Sequence, residues 1–165
     1  MVILHTNKGS ISLELDHQNA PETAANFLRY AKDDFFAGTL FHRVIPNFMV
    51  QGGGLLPDMA SKPAHPPIKN EANNGLSNTV GSIAMARTND PHSASSQFFI
   101  NVADNTFLDH KSPTPQGWGY CVFGRVSAGM DVVEEIVKVP TTSRGGHQDV
   151  PVDDIIIERV EVLED

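Results

Sequence analysis

Phe41-His42-Arg43-Val44-Ile45-Pro46-Asn47-Phe48-Met49-Val50-Gln51 sets a single arginine inside an aromatic and aliphatic run. It reads as two strand candidates, Leu40 to Ile45 and Phe48 to Gln51. In a regular strand Phe41, Arg43 and Ile45 would share one face. Outward from here the same short, apolar grain continues. Val2 to Thr6 and Ile11 to Asp16 alternate in the period of half-buried strands, with Lys8-Gly9 as the hairpin turn between them. Further candidates are Thr79 to Ala86, Gln97 to Asn101, Gly119 to Val126 and Ile155 to Val162. Two helices interrupt them. Pro21-Glu22 opens the first, because proline suits the first turn and an acid complements the helix dipole. Its apolar stripe is Ala24, Phe27, Leu28 and Ala31. The second runs from Met130 to Lys138, with Met130, Val133, Ile136 and Val137 on one face, and Val139-Pro140 ends it. Eight strands with two helices point to a mainly β fold, a closed β-barrel, since closure removes exposed edges.

The 165 residues are the size of one domain, 1–165, and no internal repeat or linker divides them. Leu56 to Gly75, rich in Pro, Asn and Lys, reads as an ordered surface loop. Twenty acids against 12 Lys and Arg give a net charge of −8. Such a chain is a poor match for a phosphate backbone, so nucleic acid is not an expected partner. No apolar run is long enough to span a bilayer, and no basic segment leads into a long apolar stretch. A cytoplasmic monomer is the expectation. The single cysteine, Cys121, has no partner for a disulfide and reads as a buried filler.

Candidate chemistry is sparse. Seven histidines include no pair at metal-ligand spacing, so neither metal nor cofactor is expected. Gly52-Gly53-Gly54 lacks the Lys-Ser/Thr of a phosphate loop and reads as a tight bend after a strand. No serine-hydrolase elbow is present. Asp33-Asp34 and Asp153-Asp154 read as solvated turns. What remains is the Arg43 segment and Ser95-Ser96-Gln97-Phe98-Phe99-Ile100-Asn101, an amide side chain beside paired aromatics. Taken alone, a strand arginine is more often a surface ion-pair partner. Together the two segments offer fixed donors, amide groups and large apolar surfaces, with no nucleophile and no acid–base pair. That inventory suits a reaction without a covalent step, or plain binding.

The segment Phe41-His42-Arg43-Val44-Ile45-Pro46, continued by Phe48-Met49 and Gln51-Gly52-Gly53, closely resembles the signature of cyclophilins. Ser96-Gln97-Phe98-Phe99-Ile100 resembles their second run, and Phe107-Leu108-Asp109 through Val122-Phe123-Gly124 the third. Ile68-Lys69-Asn70-Glu71 and Gly81 to Arg87 extend the likeness, in the style of bacterial cytoplasmic members. The resemblance implies an eight-stranded antiparallel barrel capped by two helices, with its active site in an outer groove. It implies a peptidyl-prolyl cis-trans isomerase, with Arg43 catalytic and Gln51 holding Arg43 and the substrate carbonyl. Phe48, Met49, Phe99 and Leu108 would line the proline pocket. Ala86 and Arg87 would meet the peptide backbone, and Gln97, Phe107 and Tyr120 would complete the rim. The implied partners are proline-containing peptides and flexible or unfolded protein segments. The family often has tryptophan at the position of Phe107, histidine at that of Tyr120 and asparagine at that of Arg87. The first two departures imply that cyclosporin binds weakly. A binding module or folding helper without turnover is the alternative, but such a chain would be expected to lose Arg43 or the pocket phenylalanine.

Overall fold

The computed structural model describes residues 1–163, so the last two positions of the expected 1–165 domain lie outside the described residues. Its strands are β1 (Val2–Thr6), β2 (Gly9–Leu15), β3 (Phe41–Ile45), β4 (Met49–Gly52), β5 (Ser82–Met85), β6 (Phe98–Asn101), β7 (Val122–Ala128), β8 (Thr141–Arg144), β9 (His147–Pro151) and β10 (Ile157–Val162). The helices are α1 (Pro21–Lys32) and α2 (Met130–Val137). Eight strands form one curled antiparallel sheet in the order β10-β1-β2-β7-β5-β6-β4-β3, and all eight sequence candidates fall in it. β8 and β9 form a separate hairpin, absent from the sequence reading, that lies against β3.

No ladder joins β3 to β10, so continuous hydrogen bonding does not close the sheet. Its ends meet just ahead of these two strands. Leu40 bridges Ile156, the Phe41 amide donates to the Ile155 carbonyl at 2.9 Å, and the Ile157 amide donates to the Thr39 carbonyl at 2.9 Å. β7 also starts later than the sequence suggests. The Tyr120 amide is taken by the Leu108 carbonyl at 2.8 Å, which ties the preceding residues to the turn at 106–108.

Alternation along the strands gives the sheet two working faces. Val50, Ile83, Met85, Phe98 and Ile100 point into the main core with Phe27, Tyr30, Phe36, Phe41 and Phe123. Their neighbours Met49, Ala84 and Phe99 point the other way and form a smaller apolar cluster with Val122. α1 closes on the core through Ala24, Phe27, Tyr30 and Ala31. Ala20 before it has no capping side chain. Glu71 does that work from a distant loop, accepting from the Thr23 amide at 2.7 Å and the Thr23 hydroxyl at 2.6 Å.

One expected face is not found. A bulge between Phe41 and Arg43 shifts the β3–β4 register, pairing Phe41 with Gly52 and Arg43 with Gln51. Phe41 therefore enters the core with Val44, Ile45 joins the smaller cluster, and Arg43 stands exposed.

Candidate active site

The outward side of β3 and β4, with the residue just ahead of β6, carries the polar side chains that the sequence singled out. Arg43 Nη1 donates to Gln51 Oε1 at 3.4 Å, and Gln51 Nε2 donates to Gln97 Oε1 at 3.1 Å. Gln97 reaches this position because Gly54 has no side chain, since a Cβ there would lie 2.4 Å from Gln97 Cγ. The glycine triplet is thus a bend that also admits an amide to the site.

Nine of the eleven expected residues line one cavity of about 130 Å³, on the scale of a single small ring. They are Arg43, Phe48, Met49, Gln51, Ala86, Arg87, Phe99, Leu108 and Tyr120. Gln97 lines a polar depression of about 170 Å³ beside it, and Phe107 lines a third of about 450 Å³. The floor is rigid. Met49 and Phe99 are buried, and Phe99 meets Tyr120 edge to face at 5.7 Å. Phe107, 62% exposed, stacks on Phe48 at 5.9 Å. The Arg87 guanidinium lies 4.6 Å from the Tyr120 ring centre, a cation–π contact.

Residues that the sequence reading passed over hold this wall from behind. Asn105 Nδ2 donates to the Phe48 carbonyl and to Asn101 Oδ1, both at 2.8 Å. Asn101 Nδ2 donates to Asn78 Oδ1 at 3.0 Å and to Ser82 Oγ at 2.8 Å. Asn78 donates twice to Asp109, which also accepts from the Ser77 hydroxyl. Burial pushes the Asp109 carboxyl up, but the hydrogen bonds from Ser77 and Asn78 outweigh it and hold its pKa below the ordinary value. The run of buried asparagines was the available signal, as buried polar side chains need partners. Trp118 sits between the rings of His92 and His110 at 5.0 and 4.9 Å.

Neither histidine nor cysteine takes part in the cleft. Among the described residues no Asp, Glu, Lys, His or Cys side chain lines the three depressions. His42 faces His147 at 5.7 Å on the far side of β3. Burial, then the charges of His147 and Arg43, lower its pKa to about 4. Cys121 is buried, and burial pushes its thiol up to about 11. Among the described residues no three His, Cys, Asp or Glu side chains cluster as metal ligands, and no helix is long and apolar enough to cross a membrane. A larger depression, about 600 Å³, lies elsewhere along β2 and β7 beside the exposed Glu14–Arg125 pair. It holds none of the expected site residues, so volume alone does not mark the chemistry.

Residues 1–162 match the family model for cyclophilin type peptidyl-prolyl cis-trans isomerases. The chain belongs to the cyclophilin family. It is 57% identical over 162 residues to peptidyl-prolyl cis-trans isomerase cyp18 of Streptomyces antibioticus, covering 98% of each chain. It is likewise 57% identical to peptidyl-prolyl cis-trans isomerase B of Escherichia coli, covering 99% of this chain and 100% of that one. A Cryptosporidium parvum cyclophilin type isomerase, solved in the presence of the dipeptide Ala-Pro, superposes with a TM-score of 0.82 at 26% identity over 99% of both chains. In this cyclophilin the cleft sits on the outer face of the curled sheet, because side chains fill the inner one.

Proposed function

We propose that this cyclophilin catalyses rotation about X-Pro peptide bonds at the Arg43 cleft, with no covalent step, metal or organic cofactor. The observation that carries the reading is the relay Gln97–Gln51–Arg43 at the mouth of a ring-sized cavity floored by Met49 and Phe99. Resonance holds the X-Pro bond planar behind a barrier of roughly 18–20 kcal/mol. In the twisted transition state the proline nitrogen becomes pyramidal and regains its lone pair. A guanidinium donor aimed there stabilises the twisted form more than either planar form. Phe48, Met49, Phe99 and Leu108 grip the ring while the preceding carbonyl swings. Gln51, steadied by Gln97, orients Arg43 and meets that carbonyl. Ala86 and Arg87 run beside the peptide backbone, and Phe107 and Tyr120 bound the rim. Arginine suits the task because it stays charged and presents a rigid fork.

The substrates are proline-containing peptides and flexible or unfolded protein segments. The Cryptosporidium parvum relative, solved in the presence of the dipeptide Ala-Pro, supports this class. We also propose a single domain over 1–165, working as a cytoplasmic monomer. The Leu40–Ile156 bridge supports a sheet that behaves as a closed barrel. Cyclosporin is expected to bind weakly, because phenylalanine at 107 has no polar hydrogen to offer a carbonyl.

A protease-coupled assay on a short X-Pro peptide tests the reading. Acceleration over the uncatalysed rate, unchanged by chelators, is expected, and no acceleration would contradict it. In the same assay Phe107→Trp should tighten cyclosporin inhibition by roughly 10–100-fold, from one added hydrogen bond and more buried area. Equal inhibition constants would show that Phe107 is not the determinant.

A further inference from the structure

The chain carries 20 acids against 12 Lys and Arg, yet its cleft is cationic. Among the described residues the only charged side chains lining the three adjoining depressions are Arg43 and Arg87. Among the described residues neither pairs with a carboxylate. Arg43 bonds to an amide oxygen. Arg87 donates to three backbone carbonyls, Gly119 at 2.9 Å, Thr88 at 2.8 Å and Pro115 at 3.4 Å. These are neutral acceptors and use three of five guanidinium hydrogens, so the charge stays uncancelled and two donors stay available. Of the other four arginines, Arg29 likewise donates to an amide oxygen, that of Asn26 at 3.3 Å, whereas the remaining three pair with acids. Arg125 pairs with Glu14 at 2.8 Å, Arg144 with Asp154 at 2.8 Å and Arg159 with Glu161 at 3.8 Å. The acid nearest Arg87 in sequence, Asp90, turns its Oδ1 back to the His92 amide at 2.9 Å.

Arg87 is also the one residue shared by all three depressions. A peptide with its proline in the small cavity must leave in two directions, and Arg87 borders both. The about 450 Å³ depression is the roomier exit. Besides Arg87 it offers the exposed Asn89 and Gln116 amides, with Phe107, Pro115 and Tyr120 as walls.

We infer that this depression is a subsite for a carboxylate-bearing residue on one flank of the proline, with Arg87 as its counter-charge. The cyclophilin thereby selects acidic proline segments despite its own net negative charge. Arg87 is held in place for this by its three carbonyl bonds and by the Tyr120 ring beneath it. The inference rests on the isomerase reading above and adds a substrate class to it.

The test is a set of X-Pro peptides with Glu, Gln or Lys at the first or second position on either side of proline. At low salt kcat/KM for Glu should exceed that for Lys by roughly fivefold on one flank only, the size expected of partly exposed charge pairs. The ratio should fall toward one in about 0.5 M salt, where charges are screened. Arg87→Gln should collapse it. Gln116→Glu, at an exposed loop position, should also collapse it by placing a carboxylate in the depression. Turnover of the Gln peptide with equal rates for Glu and Lys would overturn the inference and leave the isomerase reading intact. An equal Glu preference on both flanks, or one unchanged in both variants, would overturn the placement at Arg87. If no peptide is turned over, it is the isomerase reading that fails.

Discussion

His42 and Arg43 are adjacent, yet the His42 ring is buried against β9 while the Arg43 side chain stands exposed in the cleft, bonded to Gln51. The bulge after Phe41 separates them. The identity of Arg43 was legible in the sequence, but its surroundings were not, since a bulge changes no composition and leaves the alternation of β3 looking regular. His42 shows a cost of the arrangement, for its Nδ1 is buried with no hydrogen-bond partner. Its pKa falls from 6.5 to about 4 on folding, so between those values the unfolded chain binds more protons than the folded one. This contribution to stability is complete above pH 6.5 and is lost as pH falls through about 4. It amounts to about 3 kcal/mol at most. Urea unfolding at pH 7, 5.5 and 4.5 should therefore show a loss that His42→Leu reduces. A variant with the same pH-dependent loss as wild type would remove His42 from the explanation.

Among the elements, the eight sheet strands and both helices could be read from apolar periodicity, whereas the β8–β9 hairpin could not. Thr141, Thr142 and Ser143 are exposed, and only Val150 and Pro151 at the far end are buried. Such a hairpin has no buried face to write a period of two into the sequence. The signal present was Gly145-Gly146, both at positive φ of 59° and 82°, between Arg144 and His147, which pair across the turn. Gly146 has open space where a Cβ would lie, so Gly146→Ala isolates the backbone term. It should destabilise by roughly 1 kcal/mol, the cost of a left-handed alanine. Chemical denaturation measures this, and an unchanged midpoint would mean that the hairpin adapts without cost. The bonds holding Phe48 from Asn105 were hidden for a related reason, as periodicity records which face is apolar and not which buried amide meets which carbonyl.

At the scale of the molecule, one sheet keeps stability on its inner face and chemistry on its outer face. Phe98 and Phe99 divide along that line. Phe98 meets Phe27, Phe36 and Phe41 in the core, whereas Phe99 belongs to the cleft floor. Phe98→Ala should cost about 3–5 kcal/mol of stability. Phe99→Ala should cost less stability but, as the cavity floor is lost, roughly tenfold or more in kcat/KM. Thermal melts and the peptide assay separate the two, and matching losses in both would deny the division of faces. The open joint between β3 and β10 was not legible, because pattern reports strands and not whether the last pairs with the first. In the proposed reaction a guanidinium on the outer face lowers the X-Pro rotation barrier without covalent help. The most direct measurement is kcat/KM of wild type and Arg43→Ala on one X-Pro peptide, with thermal melts of both. The melts should coincide, and activity should fall by about 10²–10³, or roughly 3–4 kcal/mol of transition-state stabilisation. A folded Arg43→Ala protein that keeps more than about a third of wild-type activity would contradict the claim, since one such donor should be worth far more.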